Sequence, residues 1–246
     1  MIEACATHGA LVRSIVLNTG ATTAATVNSG GVSIIDCGRF TIPSMTAPVI
    51  SAILSSIEGA SEDTTTTLVA GYTLKLGEIN MNTGTFTSGS TMPTRTISGT
   101  SVQTASVYPF LVVDTAVTAT TPTVTITYTD QDGNTGNTAT LILPTSPSLQ
   151  TAFAIAPHFA SGDTGMRAVT NMTKSAGTAG VVAVYGFIPV AYGVNTLQSY
   201  SMAQPLFTML PKFPFKDGDK LGFFRFASTS ATQMPIGFTM VPEVDF

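Results

Sequence analysis

The side chains that commonly carry out catalysis are few and far apart in this chain. His8 and His158 are its two histidines, and neither stands beside a carboxylate in a pattern typical of general acid and base catalysis. The sequence has no Gly-x-Ser-x-Gly elbow, no Gly-x-Gly-x-x-Gly turn and no Walker-type loop. We therefore predict no catalytic residue, no cofactor-binding residue and no enzymatic activity, while a site of carboxylates assembled only by folding stays open.

One short motif has the alternating oxygen ligands that begin a calcium-binding loop. Asp130, Asp132 and Asn134 occupy alternate positions, as the first ligands of such a loop do. The motif then departs from the pattern, because Thr135 stands where the loop needs glycine and Leu141 where it needs a bidentate acid. We therefore predict a hairpin turn here and no metal site.

Three other signals have simpler interpretations than a catalytic or metal-binding site. Cys5 and Cys37 are the two cysteines, and we expect two small buried thiols, with a disulfide left open. Asp217 and Asp219 flank a glycine and are expected to form a turn. Asn171 begins an Asn-x-Thr sequence, which has no meaning as a glycosylation site in a protein that is not secreted.

Net charge and patterning exclude several classes of partner. The formal net charge is −4, the pI is about 5.0 and ten basic residues are spread over 246 positions, so no basic face for nucleic acid is expected. The first residues lack the basic start of a secretory leader, and the longest apolar run, 181–194, is too short to cross a membrane as a helix. The mean hydropathy of +0.34 is too high for a disordered chain. We expect a folded protein made in a reducing cytoplasm.

The low charge of the chain favours association. Charged residues make up 10% of it, where a typical soluble domain has about 25%, and 42 threonines and 21 serines take their place. Edge strands are normally protected from pairing by lysine, proline or bulges, yet residues 64–74 and 115–129 contain no charged side chain. We therefore expect a homo-oligomer that buries its edges against other chains.

Apolar residues recur with a period of two, which is typical of strands. Val124, Ile126 and Tyr128 alternate with threonines, residues 130–136 supply a turn, and residues 138–143 alternate again. This pattern predicts a β-hairpin with a buried face and a threonine face.

A second hairpin is predicted downstream. Residues 166–173 have the pattern of a strand, 174–180 of its loop and 181–185 of a return strand buried on both faces. The stretch at 47–58 alone has apolar residues at helical spacings, although its serines and stiff isoleucines disfavour a helix.

Strands separated by turns rich in glycine, proline and threonine predict an all-β protein. We expect a β-sandwich of the jelly-roll type with at most one short helix. Residues 1–30 are predicted to form an extended N-terminal arm and residues 31–246 the sandwich, with a change of composition near 88–104 that marks a sub-boundary. Further strand-like segments are 32–39, 70–79, 221–226 and 236–241.

Two features suit packing better than the binding of a small molecule. The chain has no tryptophan, which sugar-binding platforms commonly use, and we expect the phenylalanines of 207–226 to lie in the core or in a subunit interface. Asp163 and Arg167 place opposite charges in one turn of a weakly charged chain. They are expected to fix a hairpin or to meet a neighbouring subunit.

Pieces of the chain between residues 92 and 189 resemble virion structural proteins of tailed bacteriophages. The resemblance begins over 92–113 and is most specific in the order of three pieces: the Thr-rich strand and Asp-Gly turn of 123–136, the Gly-Asp-Thr-Gly-x-Arg turn that ends at Arg167, and the Val-Tyr-Gly strand of 181–189. Residues 1–90 and 200–246 lie outside it. The resemblance implies a non-enzymatic, β-rich subunit of a phage head or tail.

Within that family we expect a capsid-associated decoration (cement) protein or a minor head protein, located in the virion and assembled in the host bacterial cytoplasm. Its partners would be other virion proteins, the major capsid protein above all, and its mechanism the stabilisation of the assembled lattice by binding. A tail, collar or fibre component that contacts the host surface is the alternative. A glycan-binding module or glycan-directed enzyme is the second alternative.

Overall fold

The computed structural model is an all-β protein, which confirms the predicted fold class. It describes residues 11–17, 34–41, 49–59, 66–97, 99–147, 149, 151–195, 208–209, 213–227 and 234–244. In chain order the strands are β1 (Leu11–Leu17), β2 (Ile34–Thr41), β3 (Val49–Gly59), β4 (Thr66–Asn80), β5 (Phe86–Ser88), β6 (Thr94–Ile97), β7 (Thr100–Gln103), β8 (Phe110–Thr118), β9 (Thr123–Asp130), β10 (Asn137–Ile142), β11 (Ala152–Ala154), β12 (Met166–Lys174), β13 (Ala179–Asn195), β14 (Thr208–Met209), β15 (Lys220–Ala227) and β16 (Met234–Val244). One short helix is found among these residues, a 3₁₀ turn at Ala156–His158.

The largest sheet closes on itself. Its eight strands follow the order β14-β13-β8-β11-β2-β15-β4-β5, and β13 also pairs with β4. That additional pairing joins β13, β8, β11, β2, β15 and β4 into a ring, in which every pair of neighbours is antiparallel. The long strand β13 makes this possible, because one edge of it pairs along β4 while the other pairs with β8 and then with β14.

A second sheet, in the order β10-β9-β12, stacks on the ring and gives the predicted sandwich. The first predicted hairpin is confirmed, since β9 and β10 pair in register without a bulge. Val124, Ile126 and Tyr128 of β9 are 0% exposed, because alternate side chains of a strand point to the same face. They share one apolar core with side chains from the ring, among them Leu76, Ile79, Leu111, Val113, Val182 and Val184.

The opposite face of the ring strands carries a separate apolar cluster. In β8, Leu111 and Val113 belong to the core beneath β9, whereas Phe110 and Val112 pack with Tyr185 and other side chains of a second cluster. Since the β9 sheet lies outside the ring, this second cluster lies inside it. The prediction of a strand buried on both faces is confirmed for residues 182–185, while Val181 is partly exposed, and the closed ring is the reason.

The stretch at 47–58, for which the sequence left a helix open, is not a helix. Residues Val49–Gly59 form β3, which pairs with β16 in a sheet of the order β1-β16-β3. The stretch contains valine and isoleucine, whose branched side chains favour strands, and β16 supplies an antiparallel ladder along nearly the whole segment. In the predicted N-terminal arm, β1 also pairs with β16. The division into an arm and a sandwich stays a prediction.

The second predicted hairpin is also wrong in its pairing. Both strands exist, but β12 pairs with β9 and not with β13. Each strand has two edges, and those of β13 are occupied by β4 on one side and by β8 and β14 on the other. The chain crosses between the sheets at Gly180, which has a φ of 97° and where a Cβ atom would lie 2.4 Å from the carbonyl oxygen of Ala116.

No helix in the described part of the chain is long and apolar enough to cross a membrane.

We predict that Ile126→Ala lowers the free energy of unfolding by about 2–5 kcal/mol, because it leaves a cavity between the two sheets. Thr138→Ala, on the exposed face of the adjacent strand, should change it by less than about 0.5 kcal/mol. Urea unfolding followed by circular dichroism measures both. Equal losses in the two variants would contradict the proposed core.

Candidate interaction surface

The turn between β9 and β10 is organised by one buried carboxylate. Asp130 Oδ1 accepts hydrogen bonds from the backbone N–H groups of Asp132 and Asn134, at 2.8 and 2.9 Å. Its Oδ2 accepts from the side-chain amides of Asn134 and Asn137. Burial alone would raise the pKa of Asp130, but these donors outweigh it and lower the pKa. The predicted turn is confirmed, and both carboxylate oxygens face N–H donors.

The turn that contains Asp163 is fastened to this hairpin. Tyr128 donates a hydrogen bond from its hydroxyl to Asp163 Oδ2 at 2.7 Å and accepts one from the backbone N–H of Ala160 at 2.9 Å. Burial and the Asp163 carboxylate raise the pKa of Tyr128 to about 12. Gln131 accepts from two backbone N–H groups of the same turn. Asp163 thus fixes local structure, and Arg167 lies against Gly133 of the neighbouring hairpin.

A buried ion pair was missed by sequence analysis. Arg95 of β6 donates from Nη2 to both carboxylate oxygens of Asp219, at 2.8 and 2.6 Å, with side chains only 8% and 12% exposed. The guanidinium also lies over the rings of Tyr72 and Phe213, 5.5 and 5.6 Å from their centroids. No local signal connects residues 124 positions apart, so only the fold reveals this pair.

Part of the predicted aromatic cluster lies in the core. Phe213 and Phe215 are buried and contact Tyr72, with ring centroids 4.8 and 6.2 Å from it. The core interpretation is confirmed for these two residues. Burial and the nearby Asp219 raise the pKa of Tyr72 to about 12, although Arg95 opposes the shift.

A second group of charges lies on the inner side of the ring. Lys75 contacts Asp114 at 2.8 Å and also Glu78, and Tyr185 donates a hydrogen bond to Asp114 at 2.7 Å. Burial alone would lower the pKa of Lys75, but the bonds to Asp114 and Glu78 raise it above its usual value. An amine held protonated in this way does not act as a nucleophile or general base near neutral pH.

The outer face of the β10-β9-β12 sheet is covered by small polar side chains. The hydroxyl oxygens of Thr125 and Thr140 lie 3.2 Å apart. Two rows cross the three strands, and none of their residues is charged: Thr140, Thr125 and Thr173, then Thr138, Thr127 and Asn171. Ile142 ends this face on β10 with 70% of its surface exposed. The surface has little charge to repel another chain.

The remaining predicted residues do not come together. His158 is exposed in the 3₁₀ turn and Asn171 is exposed on β12, while Cys37 lies in β2. Cys5 and His8 lie outside the described residues. Within the described part of the chain, no three His, Cys, Asp or Glu side chains are grouped in a way that would hold a metal ion.

No protein-family model matches the chain, and no curated protein matches it. Among solved structures, it has a distant likeness to a mutant VP2 protein of infectious bursal disease virus in derived T=1 particles, with 10% sequence identity and a TM-score of 0.19. The alignment covers 96% of this chain and 78% of that chain. A TM-score of this size assigns neither a fold nor a function.

Asp130→Asn should remove a pH-dependent contribution to stability. Because the folded-state pKa lies below the ordinary value of 3.8, the contribution is present above about pH 4 and is lost as the pH falls through the folded-state value. We expect a lower melting temperature at pH 7 and a smaller loss between pH 7 and about pH 3. Asp132→Asn, an exposed change in the same turn, is the control. An unchanged pH profile in Asp130→Asn would refute this role.

The Arg95–Asp219 pair should behave as a buried unit. Arg95→Met leaves the Asp219 carboxylate without its partner and should cost about 3 kcal/mol of unfolding free energy. Adding Asp219→Leu should recover part of this loss, because the unpaired charge is gone. Glu78→Gln, in a more exposed pair, should cost less than about 1 kcal/mol. Purely additive losses in a denaturant double-mutant cycle would show that the two residues are not coupled.

Proposed function

We propose that this chain is a non-enzymatic structural subunit of a virion, specifically a decoration (cement) or minor head protein of a tailed bacteriophage. The main observation behind this proposal is the uncharged outer face of the β10-β9-β12 sheet, which ends in the exposed Ile142. Such a face suits contact with another protein surface, since like charges across an interface are costly. The resemblance of residues 92–189 to phage virion proteins supports the same role.

The way the charges are used also supports this proposal. Arg95 pairs with Asp219, and Lys75 pairs with Asp114 and Glu78. These pairs connect elements of one chain, and the buried Arg95–Asp219 pair helps to fix their geometry. A rigid subunit loses little conformational entropy on docking, so more of the contact energy is available for binding.

The proposed mechanism is stabilisation of an assembled lattice. A subunit that binds the closed lattice and not the separate capsid proteins favours the closed state by mass action. At a free concentration of about 100 times the dissociation constant, each occupied site would contribute about 2.7 kcal/mol. The major capsid protein is the proposed partner, and no chemical step is needed.

Binding to particles tests this function. DNA-filled heads without tails, prepared from the virus that encodes this chain but lacking it, should bind the purified protein in a sedimentation assay and should then release their DNA at a higher temperature. Ser101→Ala, a conservative change at an exposed position of β7 in a different sheet, serves as a control for non-specific effects and should bind as the unchanged protein does.

Other results would replace the proposal. Adsorption to host cells without binding to heads would indicate a tail, collar or fibre component. Binding to glycans, or turnover of a glycan that is lost when one carboxylate is removed, would indicate the second alternative.

A further inference from the structure

The phase of hydrogen bonding in the β9–β10 hairpin shows which backbone groups of β10 face outward. The N–H of Leu143 donates to the carbonyl oxygen of Pro122 at 2.8 Å. In an antiparallel pair, residues alternate between bonding to the partner and facing away from it. Leu141 and Ala139 therefore bond to β9, whereas Thr138, Thr140 and Ile142 direct their N–H and C=O groups to the other edge. The short contact between Thr125 and Thr140 hydroxyls fits this phase, because side chains approach more closely at non-bonded pairs.

The outward edge of β10 lacks the usual protection against strand addition. Within the described residues, β10 pairs only with β9, and its sequence from Asn137 to Ile142 contains no charge and no proline. Its register with β9 has no bulge. Lysine, proline and bulges are the common means by which an edge is protected. The edge strand β12 lies against β4 and β5, whereas β10 lies beside β9 and the short 3₁₀ turn at Ala156–His158.

We propose that two copies of this chain pair antiparallel through their β10 edges, across a two-fold axis at Thr140. In this register Thr140 pairs with its own copy, and Thr138 pairs with Ile142 of the second copy. All the outward backbone groups are then used, giving about six intermolecular hydrogen bonds. The two small sheets become one continuous six-stranded sheet.

A second copy fits this edge better than an unrelated strand for two reasons. The edge is self-complementary, because Thr138, Thr140 and Ile142 of one copy can bond through their backbone groups to Ile142, Thr140 and Thr138 of an antiparallel second copy. Like-charge repulsion, which would oppose pairing of a strand with itself, is absent because β10 carries no charge. Pairing also places the 70% exposed Ile142 against the methyl group of the second copy's Thr138, on the same face of the sheet.

This inference adds to the proposed function, because it names a second copy of the chain as the first partner of the subunit. The pairing itself does not depend on the proposed function; only its biological purpose does. Self-association is measured with the purified chain alone, whereas the structural role is measured with particles. A dimer that ignores particles would refute the function and leave the pairing intact. A monomer that binds particles would refute the pairing and leave the function intact.

Sedimentation equilibrium of the full chain tests the pairing. The unchanged protein should be a dimer, and Thr140→Lys should weaken dimerisation by about tenfold or more, because two lysines then lie opposite one another. Thr140→Pro should have a similar effect by removing one outward N–H from each copy. Thr173→Lys is the matched control, because Thr173 and Thr140 flank the same residue, Thr125, on opposite edge strands. This control should dimerise as the unchanged protein does.

Amide hydrogen exchange gives a reading that does not depend on any variant. The amides of Thr138 and Thr140 should exchange slowly in the dimer and quickly on dilution, while the amide of Leu141, bonded within the hairpin, should stay slow throughout. A monomer at all concentrations overturns the proposal. So does a dimer that Thr140→Lys and Thr173→Lys weaken equally, or slow exchange of Thr138 and Thr140 in the monomer, which would mean that the chain covers its own edge.

Discussion

The apolar layer between β9 and the outer face of the ring is the contact on which the other features depend. Its central side chains alternate with threonines along a single strand, so one strand defines both the core and the polar outer face. Tyr128 links the core to a neighbouring turn, because its ring is buried while its hydroxyl forms hydrogen bonds with Asp163 and with the backbone N–H of Ala160. Packing of β9 therefore also positions the turn that follows the 3₁₀ helix, and through it the start of β12.

Several of the charged side chains in the described residues act within the chain. The Arg95–Asp219 and Lys75–Asp114 pairs and the Asp130 turn all connect elements of one subunit. A chain with more charges would have a surface that repels its own copies at short range, whereas the exposed face of the small sheet here carries uncharged threonine and asparagine side chains. The low share of charged residues would lessen electrostatic repulsion in a close contact with another protein.

Sequence reasoning predicted those features that a single strand determines and missed those that need a partner strand. The β9–β10 hairpin was predicted, because alternation from Val124 to Leu141 and the intervening turn residues are local. The pairing of β12 was predicted wrongly, since nothing local shows that both edges of β13 are occupied. Residues 47–58 contain apolar spacings compatible with either a helix or a strand. They form a strand because they pair with β16. Arg95 and Asp219 are distant in sequence, so their pairing has no local signal.

The two edges of the small sheet differ in how the rest of the chain covers them, and this difference indicates which edge is open to another strand. The β12 edge is placed beside β4 and β5, where Val169 lies near Gly77 of the ring, so the fold itself covers it. Among the described residues β10 pairs with β9 alone, and it carries no protective charge; a strand edge left open in this way promotes aggregation unless a specific partner occupies it. A chain with such an edge avoids undefined pairings when one defined pairing competes with them. The self-pairing proposed above would provide such a pairing, because it would use every outward backbone group of the edge and close after two copies.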